Sequence, residues 1–381
     1  MLFDATQKLF AETVRSYARD RLKPRYAGWE REPFSRSQVA ELTAELGDLG
    51  VLGLLVPAAR GGSGADFVAA GIASEELGRG DFNVTNFVQL SSIAALALGN
   101  WATPELADSW LPRIASGEVV PGLALTESSA GSDAAAITTT ARRDGDRWVI
   151  TGEKASMTFA GYADAAIVFA RTGGPGASGI SAFWVPLGDG VARQVIDTVG
   201  GKLTARGSIF LDEVSVPDDH LLGDEGTGFT QAMAAFDFNR AIIALGCIGA
   251  ALESIEETVA YTSTRTTFGA PLSTRQAVTQ QIAEHQSRLT AARLTAYHAL
   301  QLADVGRPHT AEAAMAKWMG PSWAVDAIHT CLRLHGWVGY ARELPFDQRM
   351  RDVTGLEIGD GTAEIMKALV ARDLYGTATH R

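Results

Sequence analysis

The strongest constraint on this chain is that its texture changes twice along its length. Residues 1–119 carry helical signals. Ser35, Arg36, Ser37 and Gln38 have capping-box form, and the periodic run VAELTAELGDLGVLGLL follows them. That run stops at Pro57 and the Gly-rich turn Arg60–Gly64, and FVAAGIASEELGRG and PELADSWLPRIASGE supply further helical segments. Residues 120–225 switch to short apolar runs: GLALTE, RWVITGEK, AAIVFART, ISAFWVP and IFLDEVSVP. Turn residues separate them at Asp144–Gly145, Gly173–Gly174–Pro175–Gly176 and Asp189–Gly190. Residues 226–381 return to long Ala-rich periodic segments, the pattern of a helical bundle. Helix, then strand, then helix without βαβ alternation gives an α + β + α chain and argues against a dinucleotide-binding doubly wound fold.

Charge and composition narrow the chemistry. The net charge is −11, so the basic stripe of a nucleic-acid binder is missing. A local Arg cluster can still bind a phosphate on an acidic protein. Cys247 and Cys331 have no CxxC or Cys/His spacing, so no metal site is expected, and both read as small buried apolar residues. No stretch approaches roughly 18 uninterrupted apolar residues, so no membrane span is expected. The N-terminal segment carries charges throughout and no apolar signal core, and the expected compartment is the cytoplasm.

The segment Leu125-Thr126-Glu127-Ser128-Ser129-Ala130-Gly131-Ser132-Asp133 leaves a strand through a turn of small residues, where backbone N–H groups and hydroxyls can bind a polar ring or a phosphate. It resembles the T-E-P-x-A-G-S-D signature of the acyl-CoA dehydrogenases. The resemblance covers essentially the whole chain in order. Gly152-Glu153-Lys154 through Ala163-Asp164 is similar to the family's second block, and Leu211 to Gly223 to the end of its β-domain. Arg265 to Leu272 with Gln276 is similar to R-x-x-F-G-x-x-L…Q, and His335-Gly336, Arg351-Asp352 and Gly361-Thr362 to the C-terminal block.

The resemblance implies an N-terminal helical domain, a central β-barrel or sandwich domain and a C-terminal four-helix bundle, with FAD between the last two. It also implies a homotetramer or homodimer. Leu125, Thr126 and Thr158 would face the flavin ring, and Ser132 would approach a phosphate of FAD or of the substrate's pantetheine arm. Arg265 and Gln276 would reach the FAD of a neighbouring subunit, Phe268 would pack beside its adenine half, and Arg333 would pair with pyrophosphate. Thr362 would donate to a phosphate or ribose, and Gly131, Met157, Gly336 and Glu364 complete the implied cofactor-binding set. The implied substrate is an acyl-CoA or an acyl-carrier-protein thioester, and the implied electron acceptor an electron-transfer flavoprotein or O2.

Oxidation between Cα and Cβ needs a carboxylate to take the α-proton. The family draws it from the Glu of Y-E-G-T or from a Glu just before an Arg on an earlier helix. Here the earlier position is Asn239, in Phe236-Asp237-Phe238-Asn239-Arg240, and an amide is no base. The later one is Asp360, in Glu357-Ile358-Gly359-Asp360-Gly361-Thr362, and it is the expected base; its competing role is a helix N-cap. Aspartate withdraws the carboxylate by roughly 1.5 Å relative to glutamate. Asp237 and Arg240 match positions lining the acyl-thioester channel; a plain helical ion pair is the alternative. Ser156 stands where the family carries a Trp beside the flavin, and Arg333 and Trp337 replace a common Gln and Gly. These departures point to an unusual or small functionalised acyl group in a specialised pathway. Two other functions remain compatible: a flavin oxidase or monooxygenase, since nitroalkane oxidases use Asp at this place, and a non-catalytic flavin-binding subunit.

Overall fold

A computed structural model describes residues 3–30, 34–188 and 190–376, so Asp189 of the expected turn lies outside the described residues. Six helices come first: α1 (Ala5–Tyr17), α2 (Lys23–Trp29), α3 (Arg36–Asp48), α4 (Phe67–Gly80), α5 (Thr85–Trp101) and α6 (Pro104–Ala115). The expected capping box is present at α3. The Ser35 N–H donates to Gln38 Oε1 at 2.9 Å, and the Gln38 N–H donates to Ser35 Oγ at 3.3 Å. Asp4 and Gln7 make a second box at α1 that the sequence reading passed over.

Eight strands follow: β1 (Pro121–Ala124), β2 (Thr140–Asp144), β3 (Arg147–Met157), β4 (Ala165–Arg171), β5 (Ile180–Pro186), β6 (Val191–Val195), β7 (Gly207–Pro217) and β8 (Leu221–Leu222). They run in the order β6-β7-β3-β2-β4-β5-β8, with β1 added beside β4. One pair, Thr140 with Arg171, joins the two halves. The β3–β7 ladder slips between Lys154 and Met157. Ser156 lies in that bulge at φ +54, so the backbone leaves the regular pleat where the site forms.

The remaining elements are α7 (Gly228–Thr264), the short strands β9 (Thr266–Thr267) and β10 (Ala270–Pro271), α8 (Gln276–Asp304), α9 (Thr310–Leu334), α10 (Phe346–Ile358) and α11 (Ala363–Tyr375). Helices α7 to α10 pack as a bundle, with α11 against α9. Contrary to the sequence reading, two helical segments, Phe82–Trp101 and Gly228–Thr264, are long and apolar enough to cross a membrane; both are 89% buried, as core helices are. The apolar count missed them because their few polar residues are themselves buried: Asn86, Gln89, Asn239 and Arg240. Cys247 and Cys331 are buried and unpaired, as expected. Helix α4 lies so close to α7 that a side chain on Gly78 or Gly249 would strike the opposing backbone. That close approach fixes the N-terminal helices against the bundle and sets the walls of the site.

Asp352 on α10 ties three segments together. Its carboxylate accepts from Tyr26 Oη at 2.7 Å, Asn83 Nδ2 at 2.8 Å and the Gly201 N–H at 2.7 Å. Asn83 also donates to Asp81. Burial, with the charge of Asp352, pushes the Asp81 carboxyl up to about 8. A carboxyl raised in the folded state binds a proton that the unfolded chain has released. Its contribution is therefore present at low pH and is lost as pH rises through about 8. Asp81→Asn keeps the hydrogen-bond geometry and should flatten the alkaline loss of stability. Thermal melts between pH 6 and 9 check this; parallel curves for variant and parent would refute it.

Candidate active site

Strand β3, the turns around Thr126 and Arg206, and helices α5, α7 and α10 enclose a narrow cleft of about 70 Å3. The β-domain lines it with Leu125, Thr126, Ala155, Ser156, Thr158 and Arg206. Facing them are Asn86 and Gln89 on α5, Asn239 on α7, and Leu356, Gly359 and Asp360 at the end of α10. The expected base and three residues expected at the flavin ring, Leu125, Thr126 and Thr158, thus share one cavity.

Asp360 does not cap the following helix. Thr362 is the N-cap of α11, its hydroxyl accepting from the Ile365 N–H. Asp360 instead sits in the left-handed region at φ +56, an unusual conformation for a non-glycine residue. The turn is braced from below. Buried Lys317 on α9 donates to the carbonyls of Leu356 at 2.6 Å and Gly361 at 3.0 Å, one on each side of Asp360. Burial lowers the Lys317 ammonium from its ordinary range, while Asp360 pulls it upward. Asn239 Nδ2 donates to Asp360 Oδ2 at 2.7 Å, which leaves Oδ1 unengaged by the amide. The position where the other possible base was sought therefore holds a donor to the Asp360 carboxylate.

The signature turn does structural work as well. Buried Lys154 donates to Glu127 Oε1 at 2.8 Å and to the Leu125 carbonyl at 3.1 Å. Glu127 also accepts from the N–H groups of Thr138 and Thr139. The Ala155 N–H donates to the Thr126 carbonyl at 2.8 Å, which fixes the two lining segments side by side.

The other expected residues lie elsewhere. Met157 is buried beneath the site, its side chain directed at Gly122. Gly131 and Ser132 lie on the exposed turn beyond Ala130. Arg265 and Phe268 lie on the exposed turn between α7 and α8, and exposed Gln276 opens α8, with Phe268 97% exposed. Arg333 and Gly336 are exposed at the end of α9, and Glu364 on the first turn of α11, where the helix terminus and Thr362 lower its carboxyl. Asp237 and Arg240 face one another at 2.6 Å, and Thr310 Oγ1 donates to Asp237 at 2.5 Å. Neither lines the cleft, although the Asp360 charge reaches Arg240. Four polar lining or bracing residues escaped the sequence reading: Asn86, Gln89, Arg206 and Lys317. No local pattern marks them, because they come from distant elements.

The lining fits a planar polar ring. Among the described residues the hydroxyls of Thr126, Ser156 and Thr158 have no partner within the chain, and Asn239 Oδ1 is buried and unpaired. No cluster of His, Cys, Asp or Glu able to hold a metal occurs among the described residues.

Comparison with known proteins matches this arrangement to one family throughout. Models of the N-terminal, middle and C-terminal domains of acyl-CoA dehydrogenases match residues 4–118, 122–214 and 226–375. The short-chain specific mitochondrial acyl-CoA dehydrogenase of Bos taurus is 35% identical over 97% of this chain and 90% of its own length. A glutaryl-CoA dehydrogenase from Mycobacterium smegmatis, solved in complex with FADH2, superposes with a TM-score of 0.91 at 29% identity, covering all of this chain and 97% of that one. The prolyl acyl carrier protein oxidase AnaB superposes equally well at 25% identity, covering 98% of this chain and all of that one. Order of domains, length and identity agree, and the chain belongs to the acyl-CoA dehydrogenase family.

Proposed function

We propose that this protein is an FAD-dependent oxidoreductase that removes hydrogen from Cα and Cβ of an acyl thioester, with Asp360 as the base. The observation that carries the reading is Asp360 itself. A carboxylate is held in an unusual backbone conformation, braced by Lys317 and oriented by Asn239, in the cleft that also holds Leu125, Thr126 and Thr158. FAD, when bound, supplies the hydride acceptor for the β-carbon. Thr126 and Thr158 offer hydroxyls to the ring, Asp360 Oδ1 takes the α-proton, and half-buried Phe236 and buried Leu356 help keep water from the carboxylate's side of the cleft. The pyrophosphate falls to Arg265, Gln276 and Arg333. Their exposure, with Phe268 at 97%, Trp337 at 83% and Tyr340 at 70%, supports a homotetramer in which another copy covers this face.

The direct test is anaerobic titration of the flavin-loaded protein with acyl-CoA and acyl-carrier-protein thioesters. Bleaching of the flavin band supports the reading, and no bleaching by any thioester refutes it. Ser156 in place of an aromatic wall, beside a second open cavity, keeps an oxidase in view. Peroxide formed in air identifies O2 rather than an electron-transfer flavoprotein as the acceptor.

Asn239→Asp should place a second carboxylate at the 2.7 Å contact with Asp360. Two such groups resist joint ionisation, so the pair releases its first proton normally and its second at higher pH. The acid limb of kcat/KM should move up by about one pH unit or more. A superimposable pH profile would show that Asn239 does not act on the base.

A further inference from the structure

Two lysines are buried among the described residues, and their charges are met differently. Lys154 is 0% exposed and pairs with the Glu127 carboxylate at 2.8 Å. Lys317 is 1% exposed and has no carboxylate within 4.0 Å among the described residues. Its ammonium donates to the Leu356 and Gly361 carbonyls instead. Packing of α7, α10 and α11 on α9 keeps it from solvent. Gly320, close behind it on α9, lies so near α7 that a side chain there would strike Ala244. Two carbonyls satisfy the hydrogens of an ammonium without neutralising its charge, and a buried charge without a counter-charge is costly.

The anion that bears on Lys317 is Asp360. Burial lowers the ammonium, and among the charges facing it Asp360 opposes that most. Cys247 on α7 is kept a neutral thiol by burial, the influence of half-buried Glu357 on α10 is smaller, and Arg240 on α7 acts with burial. Three cations bear on Asp360 in return: Arg240, Arg206 and Lys317. Arg240 is paired with Asp237 at 2.6 Å. Arg206 has no carboxylate partner among the described residues, but it is half-buried and its bond to the Ser156 carbonyl is exposed, so water screens it. Of the three, Lys317 alone is both dry and unpaired among the described residues, and its two bonds hold it beneath the turn on either side of Asp360. A charge held in that way is weakly screened.

We propose that Lys317 is a positioning residue for the base, supplying the counter-charge that keeps the Asp360 carboxylate ionised in the closed cleft as well as shaping its turn; this rests on the reading of Asp360 given above. The same charge opposes retention of the α-proton, so the proton passes to solvent and the carboxylate is restored for the next turnover. Kinetics of the flavin-loaded protein separate charge from shape. Lys317→Met should move the acid limb of kcat/KM up by about one pH unit. Lys317→Arg keeps the charge and should leave the limb at its parental position, whatever its larger head does to the rate. Flavin absorbance confirms that both variants are folded and loaded. A lower rate with an unmoved limb in Lys317→Met overturns the proposal and leaves Lys317 a structural brace. A second measurement needs neither a thioester nor a Lys317 variant. Asp360→Asn removes the counter-charge and leaves both carbonyl bonds, so it should melt below the parent at pH 7. An unpaired buried ammonium is lowered in the folded state; its cost is fully present at low pH and fades as pH rises toward the ordinary lysine range. The gap in Tm should therefore narrow between pH 7 and pH 10, and parallel curves overturn the proposal. Flavin bleaching by no thioester removes the dehydrogenase reading and this proposal with it. Bleaching with an unmoved limb and parallel melts removes this proposal alone.

Discussion

Asp360→Asn should lower turnover with an acyl thioester by about 100- to 10,000-fold, the range that a positioned general base contributes, while the protein keeps its flavin. The substitution is nearly isosteric. The new amide oxygen can still accept from Asn239 Nδ2, and the two bonds from Lys317 go to the Leu356 and Gly361 carbonyls, not to the side chain. The turn should therefore hold its shape and lose only the group that accepts the α-proton. Stopped-flow bleaching of the flavin measures this directly, and full parental rates would remove Asp360 from the mechanism. Asp360→Glu makes the complementary point. It advances the carboxylate by roughly 1.5 Å in a cleft shaped for the shorter side chain, and misplacement on that scale costs up to about 100-fold. Both variants should thus fall below the parent, the amide further than the longer acid.

The sequence made the proposed base legible but not its setting. Asp360 could be found because it sits in a short motif, and Thr362 because helix starts favour a side-chain acceptor. The order of layers was also legible, since strand runs and helical periodicity differ over short windows. Lys317 was not. It lies on a helix of Ala-rich repeats more than forty residues from Asp360, and only the fold brings its ammonium under the turn. Arg206 likewise reads as one more charge after a strand break until its lack of a carboxylate partner is visible. Asn239, an amide that cannot act as a base, instead donates to the Asp360 carboxylate, a role no local pattern marks. The long core helices misled the apolar count for a related reason, because polar groups inside them are satisfied or face the cleft rather than solvent.

The second large effect concerns the block that carried the family resemblance. Glu127 and Lys154 form a buried pair at 2.8 Å between the signature turn and β3, with the lysine side chain fully buried. Burial brings Lys154 down to about 8 against the pull of Glu127. Glu127 is held down to about 2: burial alone would raise it, and the hydrogen bonds from Lys154, Thr139 and Thr138 overcome that. Lys154→Met removes one partner and leaves the carboxylate buried without its counter-charge, which costs about 3–5 kcal/mol. For a chain of this length that is a fall in Tm of about 5 °C. The sign of the pH dependence follows from Glu127. A carboxylate lowered in the folded state stabilises fully above the unfolded value near 4.5, and that contribution is lost as pH falls toward about 2. The acid limb of the parent's stability curve should therefore be steep, and that of Glu127→Gln shallower. The same pair fixes Leu125 and Thr126 against Ala155, so Lys154→Met should also weaken flavin retention during gel filtration. A variant with parental Tm and full flavin content would show that the pair is dispensable and that the signature is retained for the ring alone.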